Sequence, residues 1–172
     1  MTVLEQAIET AKKNKISTLV IASTSGNTAM KLFELIREGH LKIIVVTHDE
    51  GKPIGDRRFS DDARKRLLAN NVTVYTHNPH NILLRKITGR ILGKLRFPSW
   101  DKHLIEVRKK YGTGIKVCHI IVQMLMEGGI FRESKVVAIA GTKSGADSAA
   151  VFVVSQKNKW PTLEEIITNP CY

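Results

Sequence analysis

Two short stretches concentrate hydroxyl, amide and glycine groups in patterns that bind anions. One is Ser23-Thr24-Ser25-Gly26-Asn27-Thr28, directly after the apolar run at residues 18–22. The other is Gly141-Thr142-Lys143-Ser144-Gly145-Ala146-Asp147-Ser148, directly after the apolar run at residues 136–140. Glycine lets the backbone approach a ligand, while exposed amides and hydroxyls donate hydrogen bonds to it. Helix caps and turns use the same residue types, so chain reversal alone explains either loop taken singly. Two such loops at matching positions after two strands favour a phosphate-binding site.

Other groups with chemical potential are sparser. His48, His77 and His80 follow predicted strands and belong on the same edge as the loops, with His77 a candidate contact for a ligand ring or phosphate and a turn residue otherwise. The two-residue gap between His77 and His80 lacks the acid or cysteine cluster of a metal site, and no metal is expected. Asp147 either orients the second loop or binds a ligand hydroxyl, and turn geometry also accounts for it. Lys116 and Lys143 are candidate countercharges for a phosphate. Ser, His and Asp are numerous, but no spacing selects a catalytic trio. The chain has no Gly-x-x-x-x-Gly-Lys-[Ser/Thr] loop, and Gly112-Thr113-Gly114 lacks the third glycine of a dinucleotide fingerprint.

Around these groups the chain reads as one ordinary globular domain spanning residues 1–172, long enough to bury a real core. At 42% hydrophobic and 25% charged residues it is neither disordered nor membrane-spanning in composition. Cys118 and Cys171 are the only cysteines, with no disulfide framework or metal spacing, so a cytoplasmic location is expected. Cys118, among apolar neighbours, reads as core. Met1–Glu5 reads as a helix start with Thr2 and Glu5 at capping-box spacing, not as a signal peptide.

The net charge of +11 is concentrated: residues 85–116 hold ten Lys and Arg against Asp101 and Glu106. Such a block attracts nucleic acid, anionic lipid or a phosphorylated ligand, and it is more commonly the solvated face of a helix pair. Phe97, Trp100 and Tyr111 are its only stacking candidates and no nucleic-acid motif accompanies them, so a nucleic-acid module is possible but not favoured.

The elements that must position the loops follow from hydrophobic periodicity. Helices are predicted over about residues 3–14, 28–38, 61–70, 81–96, 99–111 and 115–127. Strands are predicted at residues 17–22, 41–47, 72–76, 135–140 and 149–154. Ser60-Asp61-Asp62 carries a cap and two acids for a helix start. Lys116, His119, Gln123 and Glu127 share one face of an otherwise apolar helix, and solvent is the expected neighbour of that face rather than a ligand. Only eight residues separate the last two strands, too few for a parallel crossover, so strand 5 runs antiparallel to strand 4. Pro161 followed by Leu163-Glu164-Glu165-Ile166-Ile167 predicts a final short helix.

The segment Thr24-Ser25-Gly26-Asn27-Thr28-Ala29, followed by Ile43-Ile44-Val45-Val46-Thr47, resembles the C-terminal α/β domain of pyruvate kinase. There a Thr-Lys-Ser-Gly-Arg-Ser-Ala loop precedes an Ile-Ile-Ala-Val-Thr strand. The pattern around Gly114-Ile115-Lys116-Val117-Cys118 and Gly145-Ala146-Asp147 is similar to stand-alone, mostly archaeal and bacterial, relatives of that domain. The resemblance covers nearly the whole chain, which carries Thr24 and Asn27 where the enzyme's loop has basic residues. It implies an α/β class fold: a three-layer α/β/α domain whose five-stranded mixed sheet has the order 3-2-1-4-5 with strand 5 antiparallel. In that order both loops open onto the crevice beside strands 1 and 4, where the winding reverses and ligands of open α/β sheets bind.

The ligand that the resemblance implies carries a phosphate: a sugar bisphosphate in the enzyme, flavin mononucleotide (FMN) in the stand-alone proteins. The expected cofactor-binding residues are Ser23, Thr24, Ser25, Gly26, Asn27, Thr28, Thr47, His77, Lys116, Gly141, Thr142, Lys143, Gly145 and Asp147. A homo-oligomer is implied too, whereas kinase activity is not, because the chain cannot hold the catalytic eight-stranded barrel. Three functions are open: a protein binding a phosphorylated small molecule, FMN first; an enzyme on a phosphorylated metabolite with His77 or Lys116 as acid or base; and a nucleic-acid module using residues 81–111. Replacing Ser25 and Gly26 together by alanine is expected to weaken the ligand and spare the fold.

Overall fold

The computed structural model describes residues 1–36, 40–47, 58–76, 98–131, 134–141 and 145–170, with residues 98–101 described by their backbone alone. The elements run α1 (Val3–Lys13), β1 (Thr18–Ala22), α2 (Asn27–Leu35), β2 (Lys42–Thr47), α3 (Asp61–Ala69), β3 (Thr73–Thr76), α4 (Pro98–Glu127), β4 (Ser134–Ala140), β5 (Ser148–Val154) and β6 (Thr162–Thr168). The helix expected over residues 81–96, with His48, His77, His80, Thr142 and Lys143, lies outside the described residues.

Local signals set the helix ends. Thr2 and Glu5 form the reciprocal capping box, and the Ser60 hydroxyl accepts from the Ala63 N–H of α3. Helix α4 is two arms meeting at Gly112, whose φ of 82° no helix interior allows. The two helices expected on either side of Gly112 are therefore continuous in chain but bent in space.

The strands form one sheet in the order β3-β2-β1-β4-β5-β6. β1 pairs in parallel with β2 and β4, and β2 with β3, while β5 is antiparallel to both β4 and β6. Side chains alternate across it. Leu19 and Ile21 point to the core shared with α1, α2 and α3, while Val20 points to the core beneath α4. Both β1 and β4 are buried on both faces, which is why they read as continuous apolar runs. The three-layer order and the antiparallel β5 are as expected. Among the described residues no helix is long and apolar enough to cross a membrane.

The sixth strand corrects the expected terminal helix and the expected five-stranded sheet. Leu163, Ile166 and Ile167 satisfy helical spacing, yet residues 162–168 pair with β5. The register slips between Ala149 and Ala150 and again between Val151 and Phe152, so two positions of β6 are extra against their partners. A bulge of this kind shifts the alternation by one residue. Leu163 and Ile166, three apart, thus pack against the same core below α4, while Ile167 reaches the opposite one. Covering the open edge of β5 outweighs a helix whose own periodicity is only five residues long.

The polar face expected on α4 is also corrected. His119 and Gln123 are 3% and 5% exposed, whereas Glu127 is exposed and Lys116 half-buried. Trp160 and Phe152 cover His119, with ring centroids 5.9 and 5.3 Å from its own. These covering side chains come from β5 and the turn leading into β6, so no pattern within α4 could disclose them.

Candidate functional site at the carboxyl edge of β1 and β4

After β1 the chain winds outward through β2 to β3, then returns to place β4 on the other side of β1. The loop after β1 leads to α2 on one face of the sheet, α4 covers the other face, and a crevice lies at this edge between them and the turn from β4 into β5. It measures about 1370 Å³ and takes residues from both loops, from the end of β2 and from α4.

The first loop is built by backbone bonds at both ends. The Ser23 N–H extends the sheet by donating to Val46 C=O at 3.0 Å, and the Ser60 N–H donates to Ser25 C=O at 3.1 Å. Ser23 is buried, and its hydroxyl accepts from the Gly26 N–H at 3.2 Å, so it shapes the turn. Gly26 then caps α2 with a φ of +93°. A methyl group there would lie 2.8 Å from the Ala63 Cβ and 3.4 Å from the Phe59 ring. Both the dihedral and the contact demand glycine. The expected tolerance of Gly26→Ala is thus corrected, because that change strains the turn and pushes on α3. Having no side chain, Gly26 leaves the first-turn amides of α2 uncapped by its own residue, and the Ser25 hydroxyl makes only a long 3.5 Å contact to the Asn27 N–H. These are the groups that a helix N-terminus offers an anion.

The second loop closes at its own base. A methyl on Gly141 would fall 1.7 Å from the Gly145 carbonyl oxygen, and Gly145 has a φ of +99°. The Asp147 N–H donates to Ala140 C=O at 3.0 Å, and its carboxylate accepts from the Ser148 hydroxyl at 2.8 Å. Gly114, at the start of the second arm of α4, lies against that same pair. A Cβ on it would be 1.8 Å from the Ser148 hydroxyl oxygen. The contact seats the arm so that Lys116, Val117 and Ile120 face the crevice.

Of the expected site residues, Ser23, Thr24, Ser25, Asn27 and Thr28 line the crevice, as do Thr47, Lys116, Gly141 and Gly145. Gly26 and Asp147 do not line it: the first packs on α3 and the second braces Ser148 and Gly114. His77, Thr142 and Lys143 lie outside the described residues. Cys118 is wholly buried, its thiol directed at the carbonyls of Ala138 and Ser148, and burial pushes its pKa up, which makes it inert as a nucleophile.

Sequence reasoning missed three parts of the crevice. Lys31 lines it one helical turn beyond Asn27, a position that i, i+4 spacing could have supplied. Glu5 lines it from α1, which runs antiparallel to β1 and so returns its N-terminus to the same edge. Val117, Ile120 and Met124 give α4 an apolar wall there, and they looked like core. The arrangement combines amide and hydroxyl donors, two lysines and the carboxylates of Glu5 and Glu34 with an apolar surface, and its donors at the first loop suit an anion attached to a less polar body.

The family description "Pyruvate kinase, alpha/beta domain" matches residues 1–154, which include both crevice loops and every strand through β5, with β6 lying past the match. With the sheet order and the antiparallel β5 on the same residues, the match shows that the chain belongs to the pyruvate kinase alpha/beta-domain family.

Proposed function

We propose that this protein binds a phosphorylated small molecule in the crevice between the loops after β1 and β4, and that the ligand is FMN. The observation that carries the reading is the first loop. Ser25, Thr28 and Asn27 at the N-terminal turn of α2 line the crevice together with Lys31 and Lys116. A helix N-terminus stabilises an anion by about 0.3–1 kcal/mol through its dipole, and charge-assisted hydrogen bonds add about 1.5–3 kcal/mol each.

The residues present fit FMN. The loop and the two lysines would hold the phosphate, while Val117, Ile120 and Met124 offer an apolar surface for a planar ring. When bound, FMN supplies one- and two-electron redox chemistry. The chain's own share is to fix the phosphate and exclude water from one ring face. A cytoplasmic homo-oligomer that senses, carries or uses a flavin accords with this reading.

The test is a visible absorbance spectrum of the freshly purified protein, with mass spectrometry of whatever denaturation releases. A flavin spectrum and the FMN mass are expected. A colourless protein that also takes up no added FMN would remove FMN and leave the phosphate reading to titrations with sugar phosphates and nucleotides.

A further inference from the structure

Away from the crevice, two histidines meet across the Gly112 bend. His103 lies on the first arm of α4 and His119 on the second, with their Nε2 atoms 3.1 Å apart. His119 is 3% exposed, and His103 is half-buried and stacked on Trp160 at 4.4 Å between centroids. The ring centroids of the two histidines are 4.9 Å apart. Two imidazoles aimed head-on across a 3.1 Å contact would have centroids about 5.4 Å apart. Two that instead converge on one ion about 2.0–2.1 Å from each nitrogen would have centroids about 4.8 Å apart and an angle of about 95–102° at the ion. The observed 4.9 Å lies nearer the convergent value than the head-on one, and without an ion the same contact is a bent hydrogen bond between the two rings.

A second observation lies one helical turn along the same arm. His119 Nδ1 and Gln123 Oε1 are both buried and both lack a hydrogen-bond partner. They are a donor and an acceptor at i and i+4, spaced to face each other. A histidine that ligates a metal through Nε2 characteristically donates its Nδ1–H to a neighbouring acceptor, which fixes the tautomer. Gln123 is itself held by donating to Glu127 at 3.3 Å. Joined to one another, these two atoms would make that orienting bond.

We propose that His103 and His119 form a two-histidine site for a borderline divalent transition-metal ion of the zinc, nickel and copper class, with Gln123 orienting His119. Among the described residues no group of three His, Cys, Asp or Glu gathers, so water completes the coordination from the half-exposed side of His103. Imidazole nitrogen selects these ions over magnesium or calcium. The bound ion ties the two arms of α4 together across the bend.

The test is titration of the chelator-treated full-length chain with Zn2+ by calorimetry. Ni2+ quenching of Trp160 fluorescence is followed in a W100F background. One equivalent should saturate at Trp160, raise the melting temperature and leave Mg2+ without effect. His103→Ala, at a half-exposed position that spares the core, should weaken binding at least tenfold and abolish the melting shift. Gln123→Leu should weaken it by about tenfold. A His77→Ala, His80→Ala double variant should bind as the parent does. Absence of binding in the parent chain, unchanged affinity in His103→Ala, or loss only in the His77, His80 variant would each overturn the proposal.

Discussion

The side-chain amide of Asn169, just past β6, donates to the backbone carbonyl of Tyr111 at 2.8 Å. Tyr111 immediately precedes Gly112, where the φ of 82° interrupts the helical hydrogen bonds of α4. A residue 58 positions away therefore meets a carbonyl that the bend leaves without its helical partner. The terminal strand and the bend of α4 support one another, and the bend is what turns Lys116 toward the crevice and His119 toward His103.

Asn169→Ala should accordingly destabilise the protein by roughly 1–3 kcal/mol, because Asn169 is buried and its loss strands an acceptor. Urea unfolding midpoints would show it. An unchanged midpoint would mean that water satisfies Tyr111 equally well.

Stability should fall below pH 6.5. Burial, and secondarily the neighbouring His103, lower the His119 pKa to about 4 in the folded chain. The unfolded chain takes up this proton near pH 6.5 while the folded one refuses it until about pH 4. The stabilising contribution is fully present above pH 6.5 and is lost as the pH drops through that window. Between pH 7 and 5 the loss should be on the order of 2 kcal/mol, and His119→Gln should flatten it. An equal slope in the variant would place the pH dependence elsewhere.

At the crevice, Ser25→Ala combined with Thr28→Ala should weaken FMN by tenfold or more and leave the melting temperature within a few degrees. Neither hydroxyl is buried, unlike that of Ser23, and removing donors to a charged phosphate costs about 1.5–3 kcal/mol each. Fluorescence titration of FMN reads the change. Equal affinity in the double variant would move the phosphate off the first loop.

Lys116→Ala should weaken FMN several-fold and flatten the dependence of its affinity on salt, since a half-exposed ammonium contributes through screened attraction. Titrations at low and high ionic strength would separate this from a packing effect, which salt leaves unchanged. If both proteins kept the same salt slope, Lys31 would become the candidate countercharge.

Much of this architecture is legible in the chain itself. Runs such as Leu19-Val20-Ile21 must lie between two layers, and Thr2, Glu5 and Ser60 mark helix starts through bonds that span three residues. The short link after Ala140 forces β5 antiparallel, and the matched loops mark the edge of the sheet at which the crevice lies. Those are consequences of local sterics and chain length. Which strand covers β5, why Gly26 cannot be alanine, what buries His119 and where Asn169 reaches depend on partners up to 58 residues away. Local periodicity carries no information about such partners: Leu163, Ile166 and Ile167 suit a helix or a bulged strand equally. Only the unpaired edge of β5 decides between them.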